Sequence, residues 1–180
     1  MWGLDTRPAA DRTDLLAAPV ASAVAAWKHA TPVDRLLVAE IDPDRADTAA
    51  FCAAYGVPLE ASANCVVIAA KRGGRTRFAA CVLLATTRAD VNGVVRKRLE
   101  ARKASFAVQE EAVRETGMEY GGITPIGLPA DWPILVDSAV AAAPDVVVGS
   151  GLRRSKLALP GAALAELPGA EVVEELARPV

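Results

Sequence analysis

The chain has 180 residues, 52% of them hydrophobic, and a formal net charge of −2. That length fits one domain with a sizeable core, and no run reaches the ~18 apolar residues of a membrane span. The odd set Cys52, Cys65 and Cys81 forms no CxxC pair, which argues against a disulfide framework or a zinc site. Charges at Asp5, Arg7, Asp11, Arg12 and Asp14 make the start unlike a signal peptide, so a cytoplasmic protein is expected.

In chain order, the first dozen residues read as frayed. Val20, Val24 and Trp27 then recur at helical spacing after Pro19, which predicts a short amphipathic helix. Leu36 to Ala39 reads as a strand, and Asp42-Pro43-Asp44 opens an alanine-rich helix closed by Gly56. The apolar runs 65–70 and 78–84 flank Lys71-Arg72-Gly73-Gly74-Arg75 and predict a hairpin. Val91, Val94, Val95 and Leu99 keep helical period while Arg96, Lys97 and Arg98 face water. Ala104 to Val108 reads as a short strand, and Gln109 to Thr116 as a helix ended by Gly117. After a glycine-proline loop come a strand at Ile134 to Val136 and a second hairpin, 145–148 with 156–159. A short helix from Pro160-Gly161 and a strand at Val172-Val173 complete the chain. Hairpins separated by single helices predict one α+β (mixed α/β) domain with a curved, largely antiparallel sheet. Residues 1–35 read as an N-terminal extension with a short helix, and 36–180 as the domain proper.

Charge is unevenly spread. Residues 71–103 carry net +8, whereas residues 1–70 carry −4 and 104–180 carry −6. Such asymmetry is the electrostatic sign of a polyanion partner, or else of a solvated helix face beside a charged hairpin turn.

Chemistry by side chain is sparse. The one histidine, His29, lies in the extension without a nucleophile elbow around it, and the cysteines sit within apolar runs as small hydrophobes. No acid, His or Cys cluster suggests a metal, and no phosphate-cradling glycine motif is present, so no cofactor is expected. Two glycine loops remain: Gly121-Gly122-Ile123-Thr124-Pro125-Ile126-Gly127 and Gly149-Ser150-Gly151. Each is either a tight structural connection or a wall whose peptide N–H groups converge on an anionic or carbonyl oxygen. Asp137 could bind an amine.

Residues from about Asp42 to Glu175 resemble the YbaK/ProX family of aminoacyl-tRNA editing domains, related to the insertion domain of bacterial prolyl-tRNA synthetases. Asn64-Cys65-Val66-Val67-Ile68 matches the family's first core strand, followed by the glycine hairpin and by Ala89-Asp90-Val91 leading the basic helix. The G-x-x-x-P loop, Gly121 to Pro125, comes next, then Ile134-Leu135-Val136-Asp137 and Val148-Gly149-Ser150-Gly151. The resemblance implies a barrel-like mixed sheet flanked by helices. It also implies metal-free hydrolysis of a mischarged tRNA's ester, with the G-x-x-x-P loop on the aminoacyl group and the tRNA's terminal hydroxyl taking part. Gly121, Gly122, Ile123, Thr124, Pro125, Gly127, Asp137, Gly149, Ser150 and Gly151 are then expected to bind substrate. Lys71, Arg72, Arg75, Arg96, Lys97 and Arg98 are expected to bind tRNA phosphates.

The chain departs from the family at three points. Asn64 stands where many members carry a lysine, Lys156 where many carry an acid, and no tyrosine precedes Asp42-Pro43. Asn64 and Lys156 are thus the candidate catalytic positions, with Lys156 supplying from the other side a cation that Asn64 cannot. Three functions follow: a trans-acting deacylase, a silent relative that binds tRNA or an aminoacyl-type ligand, and an interaction module whose apolar helix faces make a homodimer.

Overall fold

The first dozen residues, expected to fray, are built into the fold of the computed structural model, which describes residues 1–180. Strand β1 (Arg7–Pro8) pairs antiparallel with β2 (Leu37–Glu40), and the Ala9 N–H donates to the Leu36 carbonyl at 2.8 Å. Helix α1 (Ala18–Ala25) takes Pro19 in its first turn, where a missing N–H costs nothing. Leu15, Leu16, Val20 and Val24 all enter the largest apolar cluster of the protein. Each such side chain contributes about 1.5–3 kcal/mol by leaving water, so this segment is part of the core.

The helix expected from Asp42 begins later. Asp42 caps a 3-10 turn, Pro43–Arg45, and the helix α2 runs Thr48–Tyr55 before closing on Gly56 at φ 63°. Strands β3 (Ala63–Arg72) and β4 (Arg75–Leu84) form the central hairpin. Its two-residue turn holds Gly73 and Gly74 at φ 58° and 74°, the pair of positive values that the right-handed twist of a tight hairpin demands.

After β5 (Thr87–Ala89), the expected basic helix starts as a π turn, Val91–Val95, and only then becomes α3 (Arg96–Arg98). Asp90 widens that turn: its carbonyl accepts from the Val95 N–H at 3.1 Å and its carboxylate from the Val94 N–H at 3.4 Å. Strand β6 (Lys103–Phe106) leads to α4 (Gln109–Thr116), which has Glu110 and Glu111 at its positive end and Gly117 as its left-handed cap. Strand β7 (Ile134–Asp137) runs directly into α5 (Ser138–Ala142). Then follow β8 (Val146–Gly149), β9 (Ser155–Leu159), α6 (Gly161–Ala165), β10 (Ala170–Val173) and β11 (Ala177–Pro179).

The sheets are mixed and do not close into the barrel that the family resemblance implied. A four-stranded antiparallel sheet, β1-β2-β9-β8, stands beside a five-stranded sheet ordered β10-β7-β4-β3-β6, in which β10–β7 and β7–β4 are parallel. A single bridge, Ser62 to Val147, joins the two, while β6 and β10 remain open edges. A small third pair is β11-β5. The largest core fills the space between the two sheets. A second cluster packs the other face of the five-stranded sheet against Val95, Leu99 and Leu176. A third packs the outer face of the four-stranded sheet against Phe51 and Cys52 of α2.

Candidate active site

The start of β3 is where these layers leave room. A cavity of about 510 Å³ opens there, between the first turn of α2, the first five residues of β3, the end of β6 and the glycine loops. It brings together Asn64 and Lys156, which lie 92 positions apart in sequence, with Gly121, Ile123 and Gly149.

Lys156 arrives on β9 by alternation. Leu157 and Leu159 point into the largest core, so Lys156 and Ala158 turn to the opposite face, towards α2. Its ammonium lies 5.3 Å from the centroid of the buried Phe51 ring, within cation–π range. Burial pushes the Lys156 pKa below the ordinary lysine value, and the charge of Arg153 pushes it further, while Cys52 and Asp47 oppose the shift. No other cation lines the cavity, and the single carboxylate there, Asp47, is paired with Arg153 at 3.6 Å. On the facing strand, the Asn64 side-chain oxygen accepts from the Thr48 hydroxyl at 2.9 Å. That bond commits the oxygen and leaves the amide's N–H₂ donors for the cavity.

The two glycine loops are pressed backbone to backbone. A Cβ on Gly149 would lie 2.3 Å from the Gly122 carbonyl oxygen, and the Gly151 N–H donates to that same oxygen at 2.7 Å. Much of the expected donor array is therefore consumed internally, since Gly122 donates to the Glu119 carbonyl and Thr124 to the Met118 sulfur. The N–H groups of Gly121 and Ile123 have no acceptor within the protein.

The remaining candidates lie off the cavity. Thr124 and Pro125 are buried, and Gly127 packs against the Pro19 carbonyl. Asp137 caps α5 through the Ala139 N–H at 2.9 Å and accepts from the Ala177 N–H at 3.2 Å. The Ser150 hydroxyl is held by Ser155 at 2.7 Å, and Gly151 packs on Ala17. These residues shape the loops from behind.

Sequence reasoning missed Thr48, Asp47, Phe106 and Tyr120. Phe106 and Tyr120 border the cavity while 58% and 55% exposed. Cys65 also lines the cavity, but burial pushes its thiol pKa up, and that of Cys81 is pushed up to about 12. Both stay protonated and poorly nucleophilic at neutral pH.

The basic residues form one end of the five-stranded sheet. Lys71, Arg72 and Arg75 sit at the β3–β4 tip, with Lys103 of β6 opposite Lys71. The segment after Arg96, Lys97 and Arg98 meets the tip where Arg72 donates to the Glu100 carbonyl at 3.1 Å. Arg98 itself is tied to Glu171. From Val67 at the cavity to Lys71 is four residues of strand, about 13 Å.

The fold and cavity define a small α+β domain whose pocket is walled by backbone loops and holds one half-buried cation and an amide. The sequence matches the aminoacyl-tRNA editing domain family over residues 42–167, and the chain belongs to that family. Among solved structures, a candidate trans-editing enzyme for prolyl-tRNA synthetase superposes with a TM-score of 0.73 at 21% identity, covering 88% of this chain and 94% of that one. A hypothetical protein superposes at 0.69 with 20% identity, covering 78% and 90%. At such identities the likeness speaks for the fold. No curated protein matches the sequence.

Proposed function

We propose that this protein is a trans-acting deacylase that hydrolyses the ester of mischarged aminoacyl-tRNA in the cytoplasm, without a metal. The observation that carries this reading is Lys156: a half-buried cation without an ion-pair partner, lining with Asn64 a cavity in a chain of an editing family. Water attack on an ester carbonyl builds negative charge on its oxygen. A cation and the unused N–H groups of Gly121 and Ile123 are suited to receive that charge, in a site where burial strengthens each interaction.

The Asn64 amide, fixed by Thr48, is suited to orient the ester or the ribose. The cavity holds no histidine, and Asp47 is engaged by Arg153. The family resemblance implies that the substrate's own terminal hydroxyl takes part, relaying the proton of the attacking water to the leaving ribose oxygen, and the absence of a free carboxylate or histidine from the cavity agrees with that route. The exposed rings of Phe106 and Tyr120 offer stacking faces for a terminal base. The basic end of the sheet, about 13 Å away along β3, offers phosphate contacts.

A panel of aminoacyl-tRNAs charged with each amino acid tests the reading. Release from at least one, above the spontaneous rate, is the expected result. Salt-sensitive binding of tRNA without any release would instead identify a silent binding member of the family.

A further inference from the structure

The hydrogen-bond ladder along one edge of β3 has a gap, and the residues at the gap line the cavity. Odd-numbered residues of β3 turn their peptide groups away from β4. Val67 opposes Ala80, yet the Ala80 N–H bonds to Pro133, while the Val67 carbonyl accepts from Ala107 at 2.9 Å on the other side. Strand β6 pairs with β3 only from Ile68 to Lys71, and Ala107 adds the last rung at Val67. At the opposite end the Ser62–Val147 bridge takes over. Between these two lie two outward-turned residues that line the cavity, Ala63 next to the bridge and Cys65 beyond it, and the Cys65 peptide group has no strand paired beside it.

An unpaired strand edge in a partly enclosed site is a template for a ligand that carries the complementary pair of groups. We infer that the peptide edge of Cys65 recognises the α-amino-acyl group itself, as a strand one residue long. In a hydrogen-bonded antiparallel pair, two residues exchange both N–H···O=C bonds. An α-aminoacyl ester has the same spacing of donor and acceptor as a residue in a strand. Its ammonium donates to the Cys65 carbonyl, and its own carbonyl oxygen accepts from the Cys65 N–H. The ester carbonyl is thereby held in register beside Asn64, on the strand that forms the cavity wall.

This subsite rests on the deacylase reading for its ligand class, and it adds a requirement: a free α-amine. Side-chain identity plays no part in the contact, so it distinguishes aminoacyl from acyl esters and leaves amino-acid choice to the other walls.

The test is a titration of uniformly ¹⁵N-labelled full-length protein with 3′-deoxy-3′-(L-alanylamino)adenosine, a non-hydrolysable amide analogue, and with its N-acetyl derivative. The Cys65 amide proton should move downfield and the Val66 nitrogen, which reports the Cys65 carbonyl, should shift with it. The N-acetyl derivative should produce neither change, and N-acetyl-alanyl-tRNA should be hydrolysed at least tenfold more slowly than alanyl-tRNA. Shifts confined to Gly121 and Ile123, or equal responses to both compounds, would overturn the subsite and leave the deacylase reading intact. A silent cavity with an active enzyme would overturn it too. A shift at Cys65 in a protein that releases no amino acid from any tRNA would uphold the subsite and end the deacylase reading.

Discussion

The two walls of the cavity are built on opposite principles. The glycine-loop wall is two short loops set by sterics: Gly122 and Gly149 are required because one backbone presses on another, and Gly151 because of its φ of 88° and the Ala17 methyl beside it. The wall made by β3 and β9 is assembled from distant segments and set by electrostatics, with Lys156 desolvated against Phe51 and Asn64 fixed by Thr48. The comparison teaches that a loud glycine motif marks the scaffold of this site. Its one lining cation and its fixed amide come from two residues that stand out only against the family pattern.

Removing the cation should produce the largest effect. Lys156→Met keeps a long side chain over Phe51 and deletes the charge, so kcat on a cognate aminoacyl-tRNA should fall by a factor on the order of 10²–10³, as for loss of one oxyanion donor. Stability should hold or rise, because a charge disfavoured by burial is gone. The pH dependence follows from the lowered pKa. The wild-type rate, corrected for spontaneous hydrolysis, should decline on the alkaline side at a pH below the ordinary lysine value of 10.5. Stability moves the other way. The folded state holds the Lys156 proton less tightly than the unfolded chain, so the burial penalty is full below the folded pKa and fades as pH rises from there towards 10.5. Denaturant midpoints of wild type and Lys156→Met should accordingly converge with rising pH. An unchanged kcat in the variant would transfer the chemistry to the glycine wall.

A change in that wall should read out as stability. Gly149→Ala sets a methyl group 2.3 Å from the Gly122 oxygen and 2.7 Å from the Ile123 oxygen, both backbone atoms with little room to yield. Separation of the two loops should cost about 1–3 kcal/mol, the range for overpacking, seen as a lower urea midpoint with unchanged m-value. The rate per folded molecule should fall far less than in Lys156→Met. A stable Gly149→Ala protein with abolished turnover would reverse the roles of the two walls.

What was legible in the sequence follows the same division. The β3–β4 hairpin and the caps at Gly56 and Gly117 were readable because each follows from the φ of nearby residues, and the glycine loops were readable as loops although what they press on lies in the other loop. Strand order was not. That β7 would lie parallel between β4 and β10, with the sheets meeting only at Ser62–Val147, depends on partners far apart in the chain. The barrel expectation failed there. The π turn at Val91 escaped helical periodicity because the carbonyl and carboxylate of Asp90 compete for its first N–H groups. Lys156 and Asn64 stood out against the family pattern, but the burial of Lys156 and the Thr48 contact needed the fold. The exposed rings of Phe106 and Tyr120 carried no periodic or motif signal at all.

The smallest expected effect separates the basic residues among themselves. Arg98 is tied to Glu171 and Arg72 to Glu100, whereas Arg75, at the hairpin turn, makes no ion pair. An arginine already neutralised by a carboxylate displaces fewer counterions when it meets a phosphate. Arg75→Gln should therefore reduce the slope of log K for tRNA against log salt by about 0.7–0.9, the increment for one phosphate contact, while Arg98→Gln should change it by less. Equal slopes for the two variants would mean that the ion pairs open on binding. A slope unchanged in both would move the nucleic acid away from this end of the sheet, leaving the cavity wall of Asn64 and Lys156 as the protein's main contact with its substrate.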